Sequence, residues 1–215
     1  MVKHKKYLQE ETRKELGFID YSDFTEDEFA DARLAFAADS KFCLSVVAND
    51  GFPAHKKKEI AFAGRSNVGK SSLINSVTNV SGLARVSNTP GRTQMINFFS
   101  QGETFFIVDL PGFGYAKASK ESIKQWSQLT KDYLLGRKEL ETVFFLIDSR
   151  HGIKEIDENI MEILDKSAVS YQIILTKFDK IKKNEIENLL LRTNEKISRR
   201  PAARPGILAT SSKDK

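Results

Sequence analysis

A single cysteine, Cys43, excludes any disulfide within the chain. Flanked by Phe42 and Leu44, it is expected as a small buried hydrophobe rather than a nucleophile. No apolar run approaches the roughly 20 residues that a membrane-crossing helix needs. The N-terminal stretch MVKHKKYLQEETRKELG is charged and lacks the apolar centre of a signal peptide, so a cytoplasmic location is the expectation. Internal repeats and low-complexity segments are also missing. Charge of neither sign dominates: 34 Lys and Arg stand against 29 Asp and Glu, leaving a formal +5. That excess suits a polyanionic partner and, equally, a Lys-rich solvated surface. The two basic runs, HKKK (His55–Lys58) and RRPAARP (Arg199–Pro205), interleave no aromatic residue for base stacking.

What is present is enough for one domain with extensions: 215 residues, 40% of them hydrophobic. Residues Met1 to about Tyr21 show little periodicity and read as an arm or a frayed helix. From Thr25 the pattern TEDEFADARLAF predicts a helix, opened by a Thr25–Glu28 capping box, with Phe29, Ala32 and Phe36 on one face. Lys41–Ala48 reads as a strand. The regular part begins at Glu59. Strands are expected at Ile60–Ala63, Met95–Ser100, Thr104–Asp109, Thr142–Ile147, Tyr171–Leu175 and Gly206–Ala209. Between them lie helical patterns from about Lys70, over Ser119–Leu135, around Ile156–Leu164 and around Ile186–Ile197. The link Gln101-Gly102-Glu103 is too short for a crossover and forces an antiparallel hairpin. The expectation is therefore an α/β fold: a mostly parallel six-stranded sheet, one antiparallel edge strand, and helices on both faces. Residues 1–58 form an arm packing on a domain of residues 59–215.

Four motifs carry chemistry. Gly64-Arg65-Ser66-Asn67-Val68-Gly69-Lys70-Ser71 matches the phosphate-binding loop GxxxxGK[ST], with an apolar strand before it and a helix after it. Its backbone N–H groups would cradle the α- and β-phosphates, Lys70 would reach the β- and γ-phosphates, and the Ser71 hydroxyl would bind Mg²⁺. Asp109-Leu110-Pro111-Gly112 follows a strand, where open α/β sheets bind ligands. There Asp109 would hold Mg²⁺ through a water, and the Gly112 N–H would bond the γ-phosphate. Thr176-Lys177-Phe178-Asp179 decides the base. The Asp179 carboxylate, an acceptor only, can take both N1–H and N2–H₂ of guanine, whereas adenine offers it neither donor. The stem of Lys177 would lie over the purine ring. That base choice argues against an ATP-dependent kinase. The polar loop Ser87–Gln94 (SNTPGRTQ) is of the kind that orders around a γ-phosphate, and either Thr89 or Thr93 could supply a second Mg²⁺ ligand. Ala209-Thr210-Ser211, after the last strand, could touch the base through backbone N–H groups.

Taken together, GRSNVGKSSLIN, NTPGRTQ, INFF, DLPGFGYAK and TKFD closely resemble the EngB family, small bacterial GTPases of the TrmE–Era group. The resemblance runs from about Glu59 to Ser212. It implies that Thr93 is the Mg²⁺-binding threonine, and that Ser72, Gly91, Arg92, Gln94 and Met95 join the nucleotide contacts. The catalytic set is then Lys70, Thr93, Gly112 and Asn67. It further implies GTP and GDP as ligands, a K⁺ ion held by Asn67, and a role in large ribosomal subunit assembly that is needed for normal cell division and septation. A monomer is expected. Two departures stand out. The family's DLPGYG has Phe113 in place of Tyr, and its C-terminal helix has no counterpart before Lys215, which predicts bare apolar sheet surface. A Ras-like enzyme orients the attacking water with a glutamine just after DxxG. Phe113 cannot, so slow intrinsic turnover is expected, at or below about 10⁻³ s⁻¹.

Overall fold

The structure, a computed structural model, describes residues 8–37, 39–84, 95–114 and 120–211; of residues 21, 37 and 120–127 only the backbone is described. In chain order, helix α1 is Glu10–Glu15, α2 Glu26–Ala37, α3 Lys70–Val77, α4 Lys120–Gly136, α5 Glu155–Lys166 and α6 Lys183–Ile197. The strands are β1 Ser40–Val46, β2 Lys58–Gly64, β3 Ile96–Gln101, β4 Phe105–Asp109, β5 Leu140–Asp148, β6 Tyr171–Thr176 and β7 Ala203–Ala209.

All seven strands join one sheet, ordered β1-β3-β4-β2-β5-β6-β7. The run from β4 to β7 is parallel, and β3 pairs antiparallel with β4 through the expected hairpin. The expected count of six is one too few. β1, from the N-terminal arm, pairs antiparallel with β3 and takes the edge, so β3 lies inside the sheet.

The pleat sorts alternate residues to opposite faces. Ala61, Ala63, Val143, Phe145, Ile147, Ile173 and Leu175 join Leu129 and Tyr133 of α4, Met161 and Leu164 of α5, and Ile186 and Leu190 of α6 in one buried cluster. Phe62, Ile107, Leu146 and Ile174 turn the other way, toward Ile74 of α3. On that second face α2 contributes Phe36, whose ring stands edge-on to Phe105 at 5.5 Å. The bare surface expected there is only partly bare: Ile60, Phe144 and Leu208 are half-buried beside the buried Phe62 and Ile174.

The capping box forms as read: the Glu28 N–H donates to Thr25 Oγ1 (3.2 Å) and the Thr25 N–H to Glu28 Oε2 (2.7 Å). The expected buried face of α2 is wrong at Ala32, which is exposed; Ala35 and Phe36 make the contact instead. Cys43 is also exposed, not buried. A register shift between Phe42 and Leu44 bulges β1 at that point and turns the thiol outward.

One charged group is buried at the base of the sheet. Glu59, fully buried, accepts from the Tyr133 hydroxyl (2.8 Å) and from Arg137 Nε and Nη2 (2.8 and 2.6 Å). Burial and the neighbouring carboxylate push the Tyr133 phenol well above its ordinary value. Among the described residues no helix is long and apolar enough to cross a membrane.

Candidate functional site

The parallel strands deliver their loops to one edge, the carboxyl end of the sheet. β2 leads into the phosphate loop, β4 ends in Asp109, β5 in Asp148, β6 in Thr176, and β7 passes into Thr210 and Ser211. Gly69 sits at φ +107 immediately before α3, a left-handed conformation that an L side chain rarely adopts. That turn aims the start of α3 back over the sheet. The first-turn N–H groups of the helix have no carbonyl one turn earlier and present a positive end to an anion. Gly64, Arg65, Ser66, Asn67, Val68, Lys70, Ser71 and Ser72 fall on this loop and this turn.

The Lys70 ammonium rests on Asp109 Oδ1, and both side chains are about nine-tenths buried. Leu110 donates its N–H to Phe62 O (3.0 Å), which places Asp109 at the very end of β4. The next residues pair with the phosphate loop through the backbone: Ser66 N–H to Phe113 O (2.9 Å) and Phe113 N–H to Gly64 O (3.3 Å). The Ser66 hydroxyl also donates to Gly112 O (3.3 Å). Asp109-Leu110-Pro111-Gly112 is thus docked on the phosphate-binding loop.

The donor set fits Mg²⁺. A serine hydroxyl and a strand-end carboxylate are hard oxygen donors, and phosphate oxygens would complete the octahedron that this ion demands. Of the residues expected to hold it, Ser71 in the first turn of α3 and Asp109 at the end of β4 are described. Thr93 lies outside the described residues, as do Thr89, Gly91, Arg92 and Gln94. Met95, immediately before β3, is exposed.

At the other end of the edge, Thr176 donates through Oγ1 to Val68 O (2.6 Å), tying β6 to the phosphate loop. Lys177, at φ +54, reaches Asn67 O (2.6 Å) and Asp148 Oδ2 (2.9 Å). Its ammonium therefore bridges the phosphate loop and the end of β5. Phe178 is buried, and its N–H donates to Thr210 O (3.2 Å). The Ser211 hydroxyl donates to Asp179 Oδ1 (2.9 Å). The Thr210 N–H is committed to Leu175 O (2.8 Å), so it holds the loop together instead of facing a base. Ala209 is buried at the end of β7.

Sequence reasoning missed Asp148 and Ser149. The signal was a polar pair directly after the apolar strand TVFFLI, at a carboxyl end of the sheet. Ser149 Oγ donates to Thr176 O (2.6 Å). Burial opposes ionisation of Asp148, but hydrogen bonds from Arg150 and Lys177 outweigh it and hold the carboxyl well below the usual carboxylate range. A depressed folded value stabilises fully above the unfolded value, near 4, and is lost as pH falls toward the folded one. Acid titration of stability should therefore fall more steeply below about pH 4 in the parent than in Asp148→Asn. Equal slopes would remove Asp148 from the account.

Phe113 is a core residue: it is 3% exposed, with its ring stacked on Phe145 at 5.9 Å. The position cannot present a side chain to a phosphate without leaving the core. Phe113→Gln should lose about 3 kcal/mol in a urea titration, since it opens a cavity and buries an amide. Single-turnover hydrolysis should gain nothing; a clear acceleration would show that the position faces the nucleotide.

The fold and the docked phosphate, magnesium and base loops define a P-loop GTPase. A profile of the 50S ribosome-binding GTPase family matches residues 59–177. The "Probable GTP-binding protein EngB" of Roseobacter denitrificans is 53% identical over 180 residues, covering 84% of this chain and 83% of the relative. The protein of the same name from Rhizobium leguminosarum bv. trifolii is 54% identical over 180 residues, covering 80% and 83%. A solved structure of a probable GTP-binding protein engB superposes with a TM-score of 0.55 at 25% identity, over 72% of this chain and 89% of the other. Era, solved with MgGDPNP and a 16S ribosomal RNA fragment, shares the fold, with a TM-score of 0.52 at 22% identity over 74% of this chain and 52% of the other. The chain belongs to the EngB family of GTP-binding proteins, and it is a GTPase.

Proposed function

We propose that this GTPase acts as a Mg²⁺-dependent switch on the large ribosomal subunit during its assembly. One observation carries the reading of the site: the phosphate end and the base end lie along a single sheet edge, clasped by Lys177 between Asn67 and Asp148. GTP would lie along that edge. The carboxylate of Asp179 takes the guanine donors, with one lone pair already given to Ser211. The first turn of α3 and Lys70 hold the phosphates, and the Gly112 N–H meets the γ-phosphate.

Lys70 must leave Asp109 to reach a phosphate, which frees that carboxylate. Ser71, Thr93 and, through a water, Asp109 would hold Mg²⁺, which offsets charge on the phosphate oxygens when bound. The chain's own contribution to hydrolysis is positioning and electrostatics. With Phe113 in the core, turnover is slow until another cation or a partner helps. A K⁺ ion on the exposed Asn67, held at φ +63, is one such helper. Equal single-turnover rates in K⁺ and Na⁺ would remove it.

The ribosomal role is supported by the family description, not by the basic runs. Several of their side chains have partners within the chain: His55 stacks on Phe106 at 4.3 Å, Lys57 pairs with Glu103 and Lys58 with Glu141. Arg199 pairs with Glu195, and Arg200 with Asp165. A need for the protein in cell division and septation fits a shortage of ribosomes in its absence. A cytoplasmic monomer fits the same role. Sedimentation with ribosomal subunits tests the reading: binding to the large subunit should be retained in a non-hydrolysable GTP analogue and lost in GDP. Equal binding in both would contradict a switch.

A further inference from the structure

The N-terminal arm does not trail from the domain. Arg13, 6% exposed, grips Asp23 with Nη1 and Nη2 (2.5 and 2.9 Å), and Nη1 also donates to Phe18 O (2.9 Å). This clamp folds residues 13–23 into a compact hook, which hangs on the outer edge of β7. Ile207 N–H donates to Gly17 O (2.7 Å) and Ile19 N–H to Ile207 O (2.9 Å), a parallel bridge that caps the sheet. Gly206 lies at φ +94, and a Cβ there would stand 2.5 Å from Ile19, so the close approach depends on that glycine.

The hook also touches the base-reading loop. The Phe18 ring, 3% exposed, stacks on Phe178 at 5.8 Å with 25° between planes. Phe178 is the residue before Asp179. β7, whose edge the hook covers, runs directly into Thr210 and Ser211, which bond Phe178 N–H and Asp179. Both supports of the Asp179 carboxylate thus rest on residues 17–19.

We infer that the arm is a positioning element of the guanine pocket, acting through Phe18 on Phe178 and through Ile19 on β7. The inference rests on Asp179 as the group that reads the base. Docking of the arm and binding of guanine nucleotide are then linked reciprocally, each favouring the other. A partner that pulls residues 17–19 off β7 would weaken nucleotide binding from the base end.

The test compares the parent with Phe18→Ala and with Phe18→Leu, which keeps apolar volume without the ring. Each is titrated with GDP, with IDP, whose base lacks the N2 amine, and with pyrophosphate. Positioning predicts GDP weakened at least about fivefold in Phe18→Ala. IDP should weaken less, so that discrimination shrinks, and pyrophosphate should stay unchanged. A purely structural Phe18 would lower Tm and leave the IDP-to-GDP ratio alone. Amide exchange on the full-length parent reads the reverse direction: GDP should slow exchange at Ile19 and Ile207. Parent-like GDP and IDP constants in a folded variant, or exchange indifferent to GDP, overturns the inference. If neither variant folds, the exchange result decides. Asp179→Asn, with the arm intact, separates the two assignments. Acceptance of XDP in place of GDP keeps Asp179 as the base reader whatever Phe18 does, and no such swap removes that assignment itself.

Discussion

Asp179→Asn should lose GDP by about 10²–10³-fold and gain XDP to within about tenfold of the parent's affinity for GDP, two contacts at 1–3 kcal/mol each setting the scale. The carboxylate can accept at four lone-pair sites, and Ser211 uses one of them at 2.9 Å. Among the described residues no other group bonds it, which leaves sites for N1–H and N2–H₂ of guanine. An amide keeps one acceptor oxygen and puts two N–H donors where the other stood. Facing guanine, donor meets donor and a buried polar group goes unpaired. Xanthine carries a carbonyl where guanine carries the amine, which restores the match. Competition with a fluorescent guanine nucleotide reads both halves of the exchange. Loss of GDP with no gain of XDP would remove Asp179 as the group that reads the base.

Lys70→Ala has a second large effect with two separable parts. Hydrolysis should fall at least about 100-fold, since a preorganised charge opposite the developing negative charge is removed. Stability of the nucleotide-free protein should fall as well, by about 3 kcal/mol, because the Asp109 carboxylate is left nearly buried without its partner. The double variant Lys70→Ala/Asp109→Asn should recover much of the stability and none of the activity. Urea titration and single-turnover hydrolysis measure the two parts independently. If the double variant is no more stable than Lys70→Ala, the ion pair does not hold the resting site together.

The residues that sequence reading placed well are those whose signal is local. The capping box at Thr25 and Glu28, the phosphate loop ahead of α3 and the hairpin at Gln101-Gly102-Glu103 each depend on neighbours a few positions apart. What it misplaced depends on distant pairings. Cys43 reads as buried from its flanks, yet the register of β1 against β3 turns it out. Gly17-Phe18-Ile19 carries no periodicity, because its structure comes from Ile207, almost the whole chain away. Phe113 reads as a missing glutamine, and only the packing on Phe145 shows that it is a core residue. Asp148 needed its partners Arg150 and Lys177 before its place in the site could be seen. Thr93, legible by resemblance, lies outside the described residues.

Competition at equilibrium between GDP, IDP and ADP on the full-length protein in Mg²⁺ tests the base reading most directly. GDP should bind tightest, IDP about 10–100-fold more weakly for the loss of one buried hydrogen bond to a charged group, and ADP should fail to displace GDP even in large excess. Displacement of GDP by ADP at similar concentrations would contradict it.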